Sequence, residues 1–109
     1  MQSLDHEELW VINVDSKNRV LAIDQLYKGS VNASTIRTAE VFQGAISRKA
    51  MGIILVHNHP SGDPTPSDLD FVVTRNVKEA GRILEIALLD HVVIGAGAYR
   101  SIFDLTADL

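Results

Sequence analysis

The rhythm of apolar and polar positions changes several times along the 109 residues. ELWVINVD, Glu8 to Asp15, is rich in β-branched and aromatic residues and predicts a strand. Ser16 to Asn18 is a turn signal, and Arg19 to Gly29 reads as the returning strand, so the chain opens with a hairpin. Ser34 or Thr35 is placed to cap a helix running to about Ala50. Phe42, Ala45, Ile46 and Ala50 would form its buried stripe, and Gly52 would close it. IILVH, Ile53 to His57, is a continuous apolar run, as expected of a strand covered on both faces.

A loop with all three prolines follows. From Ser67 the helical period returns, with Leu69, Val72, Val73, Asn76, Val77 and Ala80 on one face and Gly81 as the C-terminal stop. Ile83 to Gly95 holds one or two strands around a turn. Gly97 to Leu105 adds a last strand or short segment. The order ββαβαββ predicts an α/β fold, a mixed sheet with helices packed on it.

Composition narrows the chemistry. A chain of this length buries one core without staples. It has no Cys, which removes disulfides, thiol catalysis and Cys-ligated zinc together. Ten basic against 14 acidic residues give a net charge of −4, with no basic excess of the kind a phosphate-binding surface needs. The densest basic spot, Ser47 to Lys49, reads as a helix end, so direct nucleic-acid binding by this domain is disfavoured. No apolar run approaches a membrane span, and MQSLDHEELW lacks the order of a signal peptide. A cytoplasmic protein with no membrane association is the simplest expectation.

The segment that stands out is HNHPSGDPTPSDLD, His57 to Asp70. On a strand, residues two apart point the same way, so His57 and His59 would project together from the strand end. Two imidazoles suit zinc, and a catalytic zinc takes a third protein ligand while keeping one position open. Asp70, in the first turn of the next helix, is placed to be that ligand. Ser67 and Asp70 also have capping-box spacing, so each has a purely local reading; capping and catalysis are compatible. Asn58, between the histidines, should point to the opposite face and hold the loop. Asp63 reads as a turn residue, His6 as solvated and Trp10 as core. Asp90-His91 reads as a strand-end pair or as support for a ligand.

His57-x-His59, seven residues, Ser67, two residues, Asp70 matches the JAMM (MPN+) metalloprotease pattern H-x-H-x7-S-x2-D at each defined position. HNHPSGDPTPS, LLDHVVIG and GSVN resemble the bacterial RadC family, over about Glu7 to Ser101. The resemblance implies a JAB1/MPN, cytidine-deaminase-like fold with a mixed sheet between helices, as a single domain over 1–109. RadC proteins usually carry a helix-hairpin-helix region as well, so the expectation is the isolated C-terminal domain of a longer protein. Zn2+ on His57, His59 and Asp70 is implied too, with Ser67 helping to hold an oxyanion and a glutamate as general base.

By that topology the base is Glu7. Glu8 is one step away, and strand alternation lets only one of the two face the metal. Glu40 is the rival, because RadC proteins commonly have Arg-Glu where this chain has Ala39-Glu40. The function implied is zinc-dependent hydrolysis of an amide or isopeptide bond in a peptide or protein. The alternatives are a non-catalytic zinc-binding module tied to DNA repair or recombination, and a purely structural metal site.

Overall fold

The computed structural model describes residues 5–29 and 36–106. Its elements are β1 (Glu8–Val14), β2 (Val20–Lys28), α1 (Thr38–Ser47), β3 (Gly52–Asn58), α2 (Asp68–Leu84), β4 (Ala87–Ile94), β5 (Tyr99–Ser101) and α3 (Ile102–Leu105). The five strands form one mixed sheet in the order β2-β1-β3-β4-β5. Only β3 and β4 are parallel, and α2 is the long crossover that such a pair requires. The predicted ββαβαββ order stands, and Gly97 to Leu105 supplies both a short strand and a final helical turn. No described helix is long and apolar enough to cross a membrane.

Alternation along the strands decides where the core lies. Leu9 and Val11 of β1 and Ile53 and Leu55 of β3 point to one side, under Val41, Phe42 and Ala45 of α1 and Val73 and Val77 of α2. The hairpin forms where Asp15 accepts hydrogen bonds from the backbone N–H groups of Lys17 and Arg19, with Asn18 in the left-handed region.

The helical faces differ in detail from their predicted stripes. The candidate caps Ser34 and Thr35 lie outside the described residues; α1 begins behind Arg37, with no side-chain cap. Ile46 is exposed, because Val41, Phe42 and Ala45 set the inward direction and Ile46 falls past its edge. The helix stops at Ser47, with Lys49 rather than a glycine in the left-handed region (φ 56°). Ala50 is buried from the loop that follows, and Gly52 opens β3 instead of closing α1. In α2 the buried stripe is Asp70, Val73, Thr74, Val77 and Gly81. Leu69 and Asn76 face outward, since sheet and α1 meet the helix on the side of its small and polar residues.

Gly81 is not a stop. It lies inside α2, which runs to Leu84 and ends on Glu85 in the left-handed region (φ 60°). Ile83 and Leu84 therefore belong to the helix, and a single strand follows. A Cβ at Gly81 would overlap the Ile86 carbonyl oxygen and press on the Phe42 ring at 3.3 Å. The clash is with backbone, which cannot move aside as a side chain tip can. Gly81→Ala should therefore lose about 1–3 kcal/mol of stability, seen as a lower urea midpoint at unchanged slope, although alanine is the better helix former.

Candidate metal centre

The centre sits where β3 and the first turn of α2 meet. In the β1–β3 register Leu9 lies beside His57, so His57 occupies the end of the row that buries Ile53 and Leu55. The ladder continues one step past β3, where the His59 N–H donates to the Ile94 carbonyl at 2.8 Å. That bond keeps His59 on the strand's path, and the two rings meet edge to face with centroids 5.0 Å apart.

Between His59 and Ser67 the chain doubles back. Gly62 takes a positive φ of 90°, and its carbonyl accepts from the Ala96 N–H at 2.9 Å, docking the bend on the β4–β5 turn. Asp63 is a turn residue as expected, accepting from the Thr65 N–H at 2.9 Å, which holds its carboxyl below the usual range. Its carbonyl lies 3.0 Å from His59 Nδ1. A proton on Nδ1 completes that bond and leaves Nε2 as a bare lone pair facing Asp70.

Ser67 and Asp70 form a complete capping box. Ser67 Oγ accepts from the Asp70 N–H at 3.2 Å, and Asp70 Oδ2 accepts from the Ser67 N–H at 2.8 Å. The same carboxylate reaches both histidines, with Oδ1 3.1 Å from His57 Nδ1 and Oδ2 3.1 Å from His59 Nε2. Burial pushes the Asp70 carboxyl up, but His57, the Ser67 N–H and the nearby imidazoles outweigh it and hold it well below the carboxylate range. His57, His59 and Asp70 each offer one ligand atom, all within 4.8 Å of one another. His57 Nε2 is buried with no hydrogen-bond partner. An unpaired imidazole nitrogen in a cluster of two histidines and a carboxylate fits a metal ion.

The three candidate bases lie in different places. Glu7 is half-buried, with Oε2 3.8 Å from His57 Nε2. Glu8 points to the opposite sheet face, where it accepts from Trp10 Nε1 at 2.7 Å and from Gln25, with His6 Nε2 2.7 Å away. The Trp10 N–H, His6 and Gln25 hold its carboxyl below the usual range against the effect of burial. Glu40 pairs instead with the Tyr27 hydroxyl at 3.2 Å and Arg37 at 3.4 Å. Three sequence readings need correction here. His6 is a half-buried link between Asp5 and Glu8 rather than solvated, and Trp10 is half-buried. Asn58 ties down the start of β1 rather than the loop after the histidines: its Oδ1 accepts from the Glu8 N–H at 2.6 Å, and its Nδ2 donates to the His6 carbonyl at 2.8 Å.

Asp90 and His91 act on different neighbours. Asp90 accepts from Ser101 Oγ at 2.6 Å and from the His91 N–H at 2.7 Å, fastening β5 to β4. His91 turns the other way, into the protein, with its ring centroid 6.2 Å from that of His57 and Nδ1 2.7 Å from Thr74 Oγ1. Sequence reading missed Thr74. The available signal was the spacing 70, 74, 77, 81, one helical stripe if its polar members are counted as inward.

Burial pushes His91 down to about 4 from an ordinary 6.5, with the charge of His57 adding to it. As pH falls from 6.5 toward 4, the unfolded chain binds this proton first, so folding weakens across that window. The whole shift is worth roughly 3 kcal/mol. Urea unfolding with chelator present, between pH 7.5 and 4.5, should show that slope in the wild type and a flatter one in His91→Gln. Equal slopes would contradict a neutral, buried His91.

A family profile described as a RadC-like JAB domain matches residues 1–107. Among curated proteins, a UPF0758 protein of Roseiflexus castenholzii is 56% identical over 101 residues, which are 93% of this chain and 43% of that protein. UPF0758 proteins of Moorella thermoacetica and Chloroflexus aurantiacus are 50% and 49% identical over 102 residues, 94% of this chain and 44% of each relative. The chain thus spans under half the length of these relatives. With the profile matched almost end to end and a His-His-Asp group positioned for a metal ion, the chain belongs to the family of RadC-like JAB domains.

Proposed function

We propose that the chain is a zinc-dependent hydrolase of the JAMM type, acting on an amide or isopeptide bond of a peptide or protein. One observation carries this reading: His57, His59 and Asp70 converge, with the Glu7 carboxylate 3.8 Å from His57. Two imidazoles and one carboxylate are a usual protein set for catalytic zinc, with a fourth position left for the reaction. Zinc, when bound, supplies Lewis acidity, which brings the pKa of water toward neutrality and polarises a carbonyl.

The chain's own residues do the rest. Glu7 takes the proton of the attacking water and returns it to the leaving nitrogen as the amide bond breaks. Ser67 Oγ uses a lone pair to accept from the Asp70 N–H, so its own proton is free to donate to the carbonyl oxygen as charge builds there. Asp63, through His59 Nδ1, keeps the other ring nitrogen free for the metal. The net charge of −4 suits a protein substrate better than a nucleic acid.

The test is direct. The zinc-loaded chain is incubated with a mixture of unstructured peptides and isopeptide-linked conjugates, and new termini are read by mass spectrometry. Cleavage that stops on chelation and returns with zinc is expected. Stoichiometric zinc with no new terminus on any substrate would favour a binding module.

A further inference from the structure

His91 stands in a place where packing alone asks for an apolar residue. It is 1% exposed on β4, and its Nε2 is one of three buried side-chain atoms without a hydrogen-bond partner among the described residues. Such atoms are costly and rare, so an imidazole kept there needs a reason. Its other nitrogen supplies one. Nδ1 lies 2.7 Å from Thr74 Oγ1, and that hydroxyl donates at 2.7 Å to the main-chain carbonyl of Asp70.

The proton count then settles the tautomer. Thr74 has one hydroxyl proton, and the Asp70 carbonyl can only accept. The proton between His91 and Thr74 must come from Nδ1, and Nε2 is a bare lone pair. The chain of bonds runs from β4 through Thr74 to the residue that carries the third candidate ligand. The capping box fixes the Asp70 side chain relative to Ser67. The His91–Thr74 link fixes the whole turn relative to the sheet that bears His57. In the parallel register Leu55 lies beside His91 and His57 beside Val93, so His91 is rigidly placed against the strand of the first ligand.

We infer that His91 and Thr74 are positioning residues that set the metal affinity of the centre by fixing where α2 holds Asp70. This rests on the reading that His57, His59 and Asp70 bind a divalent metal. Residues that orient ligands typically contribute about 10–100-fold to affinity.

Co2+ is the probe, with affinity measured by competition against a chelating dye and geometry by its visible absorption. Thr74→Val keeps the shape and cuts the link; Thr74→Ser keeps the link and loses a methyl. Circular dichroism establishes that each variant is folded under the assay conditions. Thr74→Val should bind Co2+ about 10–100-fold more weakly, with altered absorption, while Thr74→Ser stays within about threefold of wild type. His91→Phe cuts the same link from the strand side and should show the same loss, which serves if Thr74→Val does not fold. The double variant should be no weaker than either single one. A purely structural role would lower the thermal midpoint and leave affinity and spectrum unchanged; that result in Thr74→Val or His91→Phe would overturn the inference. Wild type that fails to bind Co2+ or Zn2+ would instead overturn the metal reading itself.

Discussion

His57→Ala should reduce bound zinc from about one ion per chain to less than about a tenth, while the sheet stays folded. The residue is 3% exposed near the end of β3, with one nitrogen against Asp70 and the other lacking a hydrogen bond, 3.8 Å from the Glu7 carboxylate. Removing it takes away one of three protein donors and leaves the Asp70 carboxylate buried beside a gap. Losing a residue that only orients a ligand costs about 10–100-fold, so losing a ligand should cost more than about 100-fold. The fold should survive, because the apolar cluster of Leu9, Phe42, Ile53, Leu55 and Val77 does not depend on the histidine. Elemental analysis after purification without chelator, followed by zinc titration, reads the result. A variant that keeps one tightly held zinc would refute the site. Chelation of the wild type should likewise leave its circular dichroism intact, whereas collapse would mark a structural metal.

Glu7→Gln should lower the rate of peptide or isopeptide cleavage by about 10²–10⁴-fold and leave zinc content unchanged. The amide keeps the shape of the side chain but cannot accept and return a proton. Glu8→Gln is the informative control. Glu8 belongs to the other sheet face, where it ties Trp10, Gln25 and His6 together, so its loss should lower the thermal midpoint and spare the rate. Glu40→Gln should spare the rate as well, since its carboxylate is engaged with Tyr27 and Arg37. A full rate in Glu7→Gln with a lost rate in either control would reassign the base.

Much of this site is legible in the chain because its spacing is local. Two histidines two apart on a strand share a side by the geometry of one strand, and Ser67 with Asp70 three apart make a cap by the geometry of one turn. Glu7 and Glu8 are harder. Both precede an apolar strand, and which one faces His57 depends on the register of β1 against β3, with Leu9 beside His57. A shift of one residue would exchange their roles.

The helical faces show the same limit. A reading from the helical period of the sequence alone puts Leu69 and Asn76 on the inner face of α2. The sheet meets it instead on Asp70, Thr74 and Gly81, where a carboxylate finds two imidazoles, a hydroxyl finds His91, and the missing Cβ admits the Ile86 carbonyl. Element order, the shared side of the two candidate ligand histidines and the capped helix thus follow from residue pattern, because each depends on neighbours in sequence, whereas the order of strands in the sheet rests on distant pairings such as Leu9 with His57. Which glutamate lies beside His57 and the partnership of Thr74 with His91 were decided by tertiary structure. They depend on contacts across 17 to 50 positions, between Thr74 and His91 and between Glu7 and His57, which no local period records.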